Sequence, residues 1–216
     1  MVTYRQDLWD VASGNHGVVT TADAEEVDVP AVELRKLAQR GVLRRLAHGV
    51  YLHTQVPRDR FTDAAEAVAT VGRDGYLEWD TVLSLYDLAL VDPPFVQVGV
   101  GRRYRGKPRS HIRVRKRPQP PAAEDLTYHE GVPGVTVERA LLDALERIPL
   151  DRVHQAALEA EARGLIGPSQ LTRFRSAARS VQCRQQNKPP ATGRAQTEVP
   201  LNAPHQGRAT TKEGEG

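Results

Sequence analysis

The chain has one cysteine, Cys183, in 216 residues. A single thiol closes no intramolecular disulfide and builds no cysteine-based zinc site, so its expected state is a free thiol in a reducing compartment. Long apolar runs are also missing: the longest span a few residues, far short of the roughly 20 that cross a bilayer as a helix. The opening stretch MVTYRQDLWDVASGN carries acids and lacks the apolar segment of a secretory leader. These absences predict a soluble, cytoplasmic protein with no membrane partner.

Catalytic signatures are equally sparse. His16, His48, His53, His111, His129, His154 and His205 are scattered, with no HExxH or other metal-ligand spacing. There is no G-x-S-x-G and no Walker A segment, and Gly99-Val100-Gly101 is too short for a dinucleotide loop. A metal nuclease gathers carboxylates at a strand end, yet FVQVGV and the basic strand after it hold none. Asp80, Asp87 and Asp92 read as helix-surface or capping residues. The expectation is no enzyme, no metal and no cofactor.

What is present concentrates between Gly17 and His53. Thr20 followed by Asp23 has the spacing of a capping box and predicts a short helix over about 22–26. Asp28 reads as the next N-cap, with Pro30 in the first turn of a helix that runs to about Arg40. Ala31 or Val32, Leu34, Leu37 and Ala38 give that helix one apolar face; Glu33, Arg35, Lys36, Gln39 and Arg40 give the other. Gly41 ends it. Two strands, 42–46 and 50–53, follow around Ala47-His48-Gly49, where Gly49 accepts a positive φ.

Helix, turn, helix and two-stranded wing is a DNA-reading order that puts the second helix in a major groove. Arg35, Lys36, Gln39 and Arg40 are donors suited to bases and phosphates, and Arg44, Arg45 and His48 sit on the wing. Charge is polarised to match. From Arg5 to Asp28 the one base faces Asp7, Asp10, Asp23, Glu25, Glu26 and Asp28, whereas from Glu33 to Arg45 five bases face Glu33 alone.

The run LRKLAQRGVLRRLAHGVYLH resembles the N-terminal domain of AbiEi-family antitoxins, a group that includes the mycobacterial MenA antitoxins of type IV-style toxin–antitoxin systems. Further on, GVPGVTVERALLDAL resembles the G-(I/V)-P-V-T-x-x-R-(A/T)-L-L-D segment of AbiEi C-terminal domains, with Gly134 as an extra residue. The resemblance implies an autoregulating repressor bound to double-stranded operator DNA. It further implies that a cognate nucleotidyltransferase-like toxin is counteracted, directly or indirectly.

The remaining chain reads as follows. A first helix covers Tyr4–Ala12, with Trp9 in its core. After a linker at 55–59 come helices over 61–71 and 76–90, and a strand over 95–100. The segment GRRYRGKPRSHIRVRKRP then carries Arg102, Arg103, Arg105, Lys107, Arg109, Arg113, Arg115, Lys116 and Arg117 without one acid. Its first half reads as a hairpin loop and its second as an edge strand. Nine bases exceed what edge protection needs, so the segment is a possible second nucleic-acid or toxin surface.

Leu126–Glu130 predicts a strand and Gly131–Gly134 a turn. Thr136 caps a helix to Arg147, another helix covers 150–163, and a short one ends near Arg179. From Ser180 the composition predicts disorder. The fold class expected is α+β: a winged helix-turn-helix over 1–56, a mixed α/β domain over 60–179 and a disordered tail over 180–216. An alternative to the antitoxin reading is a stand-alone winged-helix regulator whose C-terminal domain senses a ligand or dimerises.

Overall fold

A computed structural model describes residues 3–186 as a mixed α+β fold, and the tail beyond lies outside the described residues. Helix α1 (Tyr4–Gly14), strand β1 (Val18–Thr20), helix α2 (Thr21–Glu26), helix α3 (Ala31–Gln39) and strands β2 (Leu43–Ala47) and β3 (Val50–His53) come first. Thr20 closes the predicted capping box: its hydroxyl accepts from Asp23 N at 3.2 Å, and Asp23 Oδ2 accepts from Thr20 N at 2.8 Å. Two orphan donors are thereby satisfied at one helix start.

Asp28 is not a cap. It takes φ 56° within the turn, and Pro30 occupies the N-cap of α3 without a side-chain bond. Trp9 is not core either, being 40% exposed. Leu8 and Ala12, four apart on α1, both face inward, and Trp9 lies about 100° round the helix from Leu8.

The strands form an antiparallel sheet in the order β1-β3-β2. All four residues of the central strand β3 are buried, because the sheet is covered on both sides. Tyr51 packs with Leu8, Ala24, Leu34 and Leu37 from the three helices. Val18, Val50 and Leu52 pack instead against Ala65 and Ala69 of helix α4 (Thr62–Val71).

Strands β4 (Tyr76–Leu77), β5 (Val96–Val100), β6 (Ile112–Lys116), β7 (Leu126–His129) and β8 (Val132–Val135) make a second, mixed sheet ordered β6-β5-β4-β8-β7. Helix α5 (Trp79–Leu85) follows β4, and α6 (Val137–Ala144), α7 (Leu150–Ala162) and α8 (Pro168–Gln186) close the described chain. Thr136 caps α6 as expected, accepting from Arg139 N at 3.2 Å. Val137, Ala140, Leu141 and Ala144 form its buried stripe.

Four expectations change here. The helix predicted over 76–90 divides into β4 and α5, since Tyr76 and Leu77 are needed between β5 and β8. It ends early because Asp87, Ala89 and Leu90 take positive φ. The basic segment is no hairpin: β6 pairs with β5 in parallel, so residues 101–111 form a crossover. The predicted turn at 131–134 lies at Glu130-Gly131 instead, with φ 47° and 85°, and Val132–Val135 is strand. Finally, α8 runs to Gln186 and buries Val181 in the main core, so order extends past Ser180.

Asp80 also departs from expectation. At 4% exposure it faces Gln97 on β5, bonding that amide and Thr81 N. Among the described residues no helix is long and apolar enough to cross a membrane.

Candidate nucleic-acid interface

Helix α3 is held by Leu34 and Leu37, at 0% and 7% exposure. Arg35, Lys36, Gln39 and Arg40 are all exposed on the other side. Lys36 is tethered to Glu33 at 2.7 Å across one turn; a pair so exposed holds it weakly. Gly41, at φ 76°, turns the chain from the helix into the wing.

The wing does not present its bases together. Arg45 stands opposite Tyr51 and Arg44 opposite Leu52, and neighbours along a strand point to opposite faces. Arg45 therefore shares the side of the sheet that carries α3, with exposed His48 at the hairpin turn. Arg44 lies on the α4 side. There it lines a cavity of about 640 Å³ with Arg58, Arg109 and His111, so the crossover segment meets the wing at Arg44.

That segment is less free than its composition implies. Arg102 binds Asp74 at 2.7 Å, Arg109 lies 3.0 Å from Glu66, and Arg115 and Arg117 reach Glu78 at 3.8 and 2.5 Å. Arg113 stacks on Phe95 at 4.2 Å. Glu66 and Glu78 are 1% and 2% exposed, and buried carboxylates require such partners. Much of the basic run is thus internal counter-charge that fastens the crossover to α4 and β4. Arg103, Arg105, Lys107 and Lys116 remain exposed, with no ion-pair partner among the described residues.

Sequence reasoning missed several groups here. Glu66 sits in an alanine-rich helix that gave no sign of burying an acid. Together with Asp63 and His111 it brings three potential ligand atoms within 4.8 Å of one another, where sequence spacing predicted no metal grouping. Arg58 pairs with Asp63 and Arg109 with Glu66, so guanidinium groups already supply the positive charge. His53, also missed, is 1% exposed; burial, reinforced by the nearby Arg5 charge, lowers its pKa and keeps it neutral.

His16 forms a clasp. Its Nδ1 bonds Asp59 Oδ2 and its Nε2 bonds the Glu130 carbonyl, both at 2.7 Å. An ionised carboxylate and a carbonyl only accept, so both ring nitrogens must donate and the imidazole must be charged. Burial opposes that charge, but the Asp59 and Glu130 bonds outweigh it and the pKa rises. One side chain thus joins the α1–β1 turn, the segment before α4 and the β7–β8 hairpin.

Residues 6–53, from within α1 to the end of β3, match the profile of a family described as transcriptional regulator, AbiEi antitoxin. No curated protein matches the chain. One similar solved structure is the crystal structure of the RV2827C protein from Mycobacterium tuberculosis. The identity is 15% and the TM-score 0.45, over 84% of this chain and 75% of that one.

Proposed function

We propose, from the AbiEi antitoxin regulator match over residues 6–53, that this chain is a cytoplasmic DNA-binding antitoxin that represses its own operon. The observation that carries the reading is the exposed quartet Arg35, Lys36, Gln39 and Arg40 on a helix anchored by Leu34 and Leu37. In this reading α3 enters a major groove, and Arg45 and His48 reach the flanking backbone. Arg44, on the α4 side of the wing, adds one further phosphate contact, because Arg58 and Arg109 on the same cavity are already paired with Asp63 and Glu66.

The DNA-binding unit takes residues 1–56. A C-terminal unit running from residue 60 to the end of α8 counteracts a nucleotidyltransferase-like toxin, directly or indirectly. A stand-alone regulator with a ligand-sensing C-terminal unit is the second reading, favoured by the polar cavity described below.

The test is fluorescence anisotropy with DNA from immediately upstream of the gene, in a salt series and against scrambled competitor. Specific binding that weakens steeply with salt is expected. Equal affinity for scrambled DNA would refute the operator reading. Co-expression with an adjacent nucleotidyltransferase then tests the antitoxin role, expected as rescued growth.

A further inference from the structure

Three buried hydrogen-bonding atoms without a partner, Tyr76 Oη, Trp79 Nε1 and Arg139 Nε, belong to side chains that line one cavity of about 380 Å³. All three carry a proton to donate. Tyr76 is 6% exposed, and burial, aided by the Glu78 charge, pushes its hydroxyl up to about 12. It stays protonated across the physiological range.

The charges in the wall are already matched. Glu78 accepts from Arg117 Nε and Nη2 at 2.5 and 2.8 Å. The two terminal nitrogens of Arg139 reach Asp125 and Asp143 at 3.4 and 2.9 Å. Arg147 lies 5.5 Å from the centre of the Trp79 ring and bonds the Asp143 carbonyl. The carboxylates are therefore engaged by arginines, while donors are left over.

A cavity with surplus donors and no free carboxylate suits neither a metal ion nor an apolar ligand. Buried donors left unmade are costly, and a group offering several acceptor oxygens removes that cost. We propose that the cavity binds a small molecule through an oxyanion, a carboxylate or a phosphate group, that accepts from Tyr76, Trp79 and Arg139. Its volume falls in the usual range for small-ligand sites, about 300–1,000 Å³. The site does not depend on the DNA-binding reading.

The chain's two tryptophans make the test direct. In the ¹⁵N-labelled full-length protein, the indole N–H of Trp79 reports the cavity. That of Trp9, exposed on α1, is the internal control, assigned with Trp9→Phe. Inorganic phosphate and sodium acetate are titrated separately at constant ionic strength, to about 50 mM, where a millimolar Kd saturates.

The Trp79 resonance should move saturably while Trp9 stays in place. Phosphate alone, acetate alone or both being effective identifies which oxyanion the site takes. Tyr76→Phe, which removes only the hydroxyl, should weaken the response about three- to tenfold, the loss of one hydrogen bond. No saturable movement of Trp79 with either anion would overturn the proposal. So would equal movement of both indoles, or a folded Tyr76→Phe protein with unchanged affinity.

Discussion

Gly99 is expected to be irreplaceable for a steric reason. It stands opposite Tyr76 across β4 and β5, and the tyrosine ring lies over it. A Cβ at this position would fall 2.5 Å from Tyr76 Cζ and 2.7 Å from its hydroxyl oxygen, where carbon contacts normally begin near 3.5 Å. Neither partner has room to retreat. Tyr76 is buried, and β5 is paired on both sides, by β6 and β4.

Overpacking of this kind costs about 1–3 kcal/mol, and a contact this short between buried, paired strands belongs at the upper end. Replacing glycine also restricts the unfolded chain, which returns about 0.4–1 kcal/mol. The steric cost wins, leaving Gly99→Ala destabilised by about 2 kcal/mol. For a chain of this size that lowers Tm by about 4–8 °C. Thermal unfolding followed by circular dichroism measures it. In a Tyr76→Ala background the same alanine should cost nothing, since the obstructing ring is gone. An unchanged or raised Tm for Gly99→Ala alone would refute the reasoning.

Arg35→Ala should weaken specific operator binding by about 1–3 kcal/mol if the side chain reads a base, or reduce the salt slope by about one unit if it meets a phosphate; anisotropy across salt separates the two, and no change removes α3 as the reading helix. His16 has a raised pKa, so its contribution to stability is fully present below the unfolded value of 6.5 and fades as pH rises through the folded one. Asp59 has a lowered pKa, so its contribution is lost as pH falls through that value. His16→Ala should therefore depress Tm more at pH 6 than at pH 9, and an equal loss at both would show that the clasp is not ionic. A chain ending at Arg179 loses buried Val181 and should unfold about 4–8 °C below one ending at Gln186, from roughly 2 kcal/mol of apolar burial. Matching melts would place the last two turns of α8 outside the cooperative core.

Local chemistry was legible in the sequence wherever it acts over a few residues. The Thr20–Asp23 box, the left-handed Gly49, the Thr136 cap and the Leu34/Leu37 stripe all follow from spacing. What spacing does not carry is which distant segment a residue meets. Tyr76 and Leu77 have helical company in sequence but become strand because β5 and β8 lie on either side. Ile112–Lys116 alternates as an edge strand should, yet nothing in alternation distinguishes parallel from antiparallel partners. Likewise, a run of bases without acids reads as a free surface until Glu66, Asp74 and Glu78 arrive from elsewhere.

Helix α4 gives its two sides to different neighbours. Ala65 and Ala69 press on Val18, Val50 and Leu52 of the first sheet, while Ala64, Ala67, Val68 and Val71 are built into the larger core. Methyl side chains leave little slack at such a seam, because there is no long rotamer to absorb a shift. A tilt of α4 imposed from the larger core must therefore be passed on to the strands that aim α3 and the wing. Mechanically, the hairpin is mounted on the body of the protein as on a bracket, and cutting the chain at residue 56 would remove the bracket along with the body.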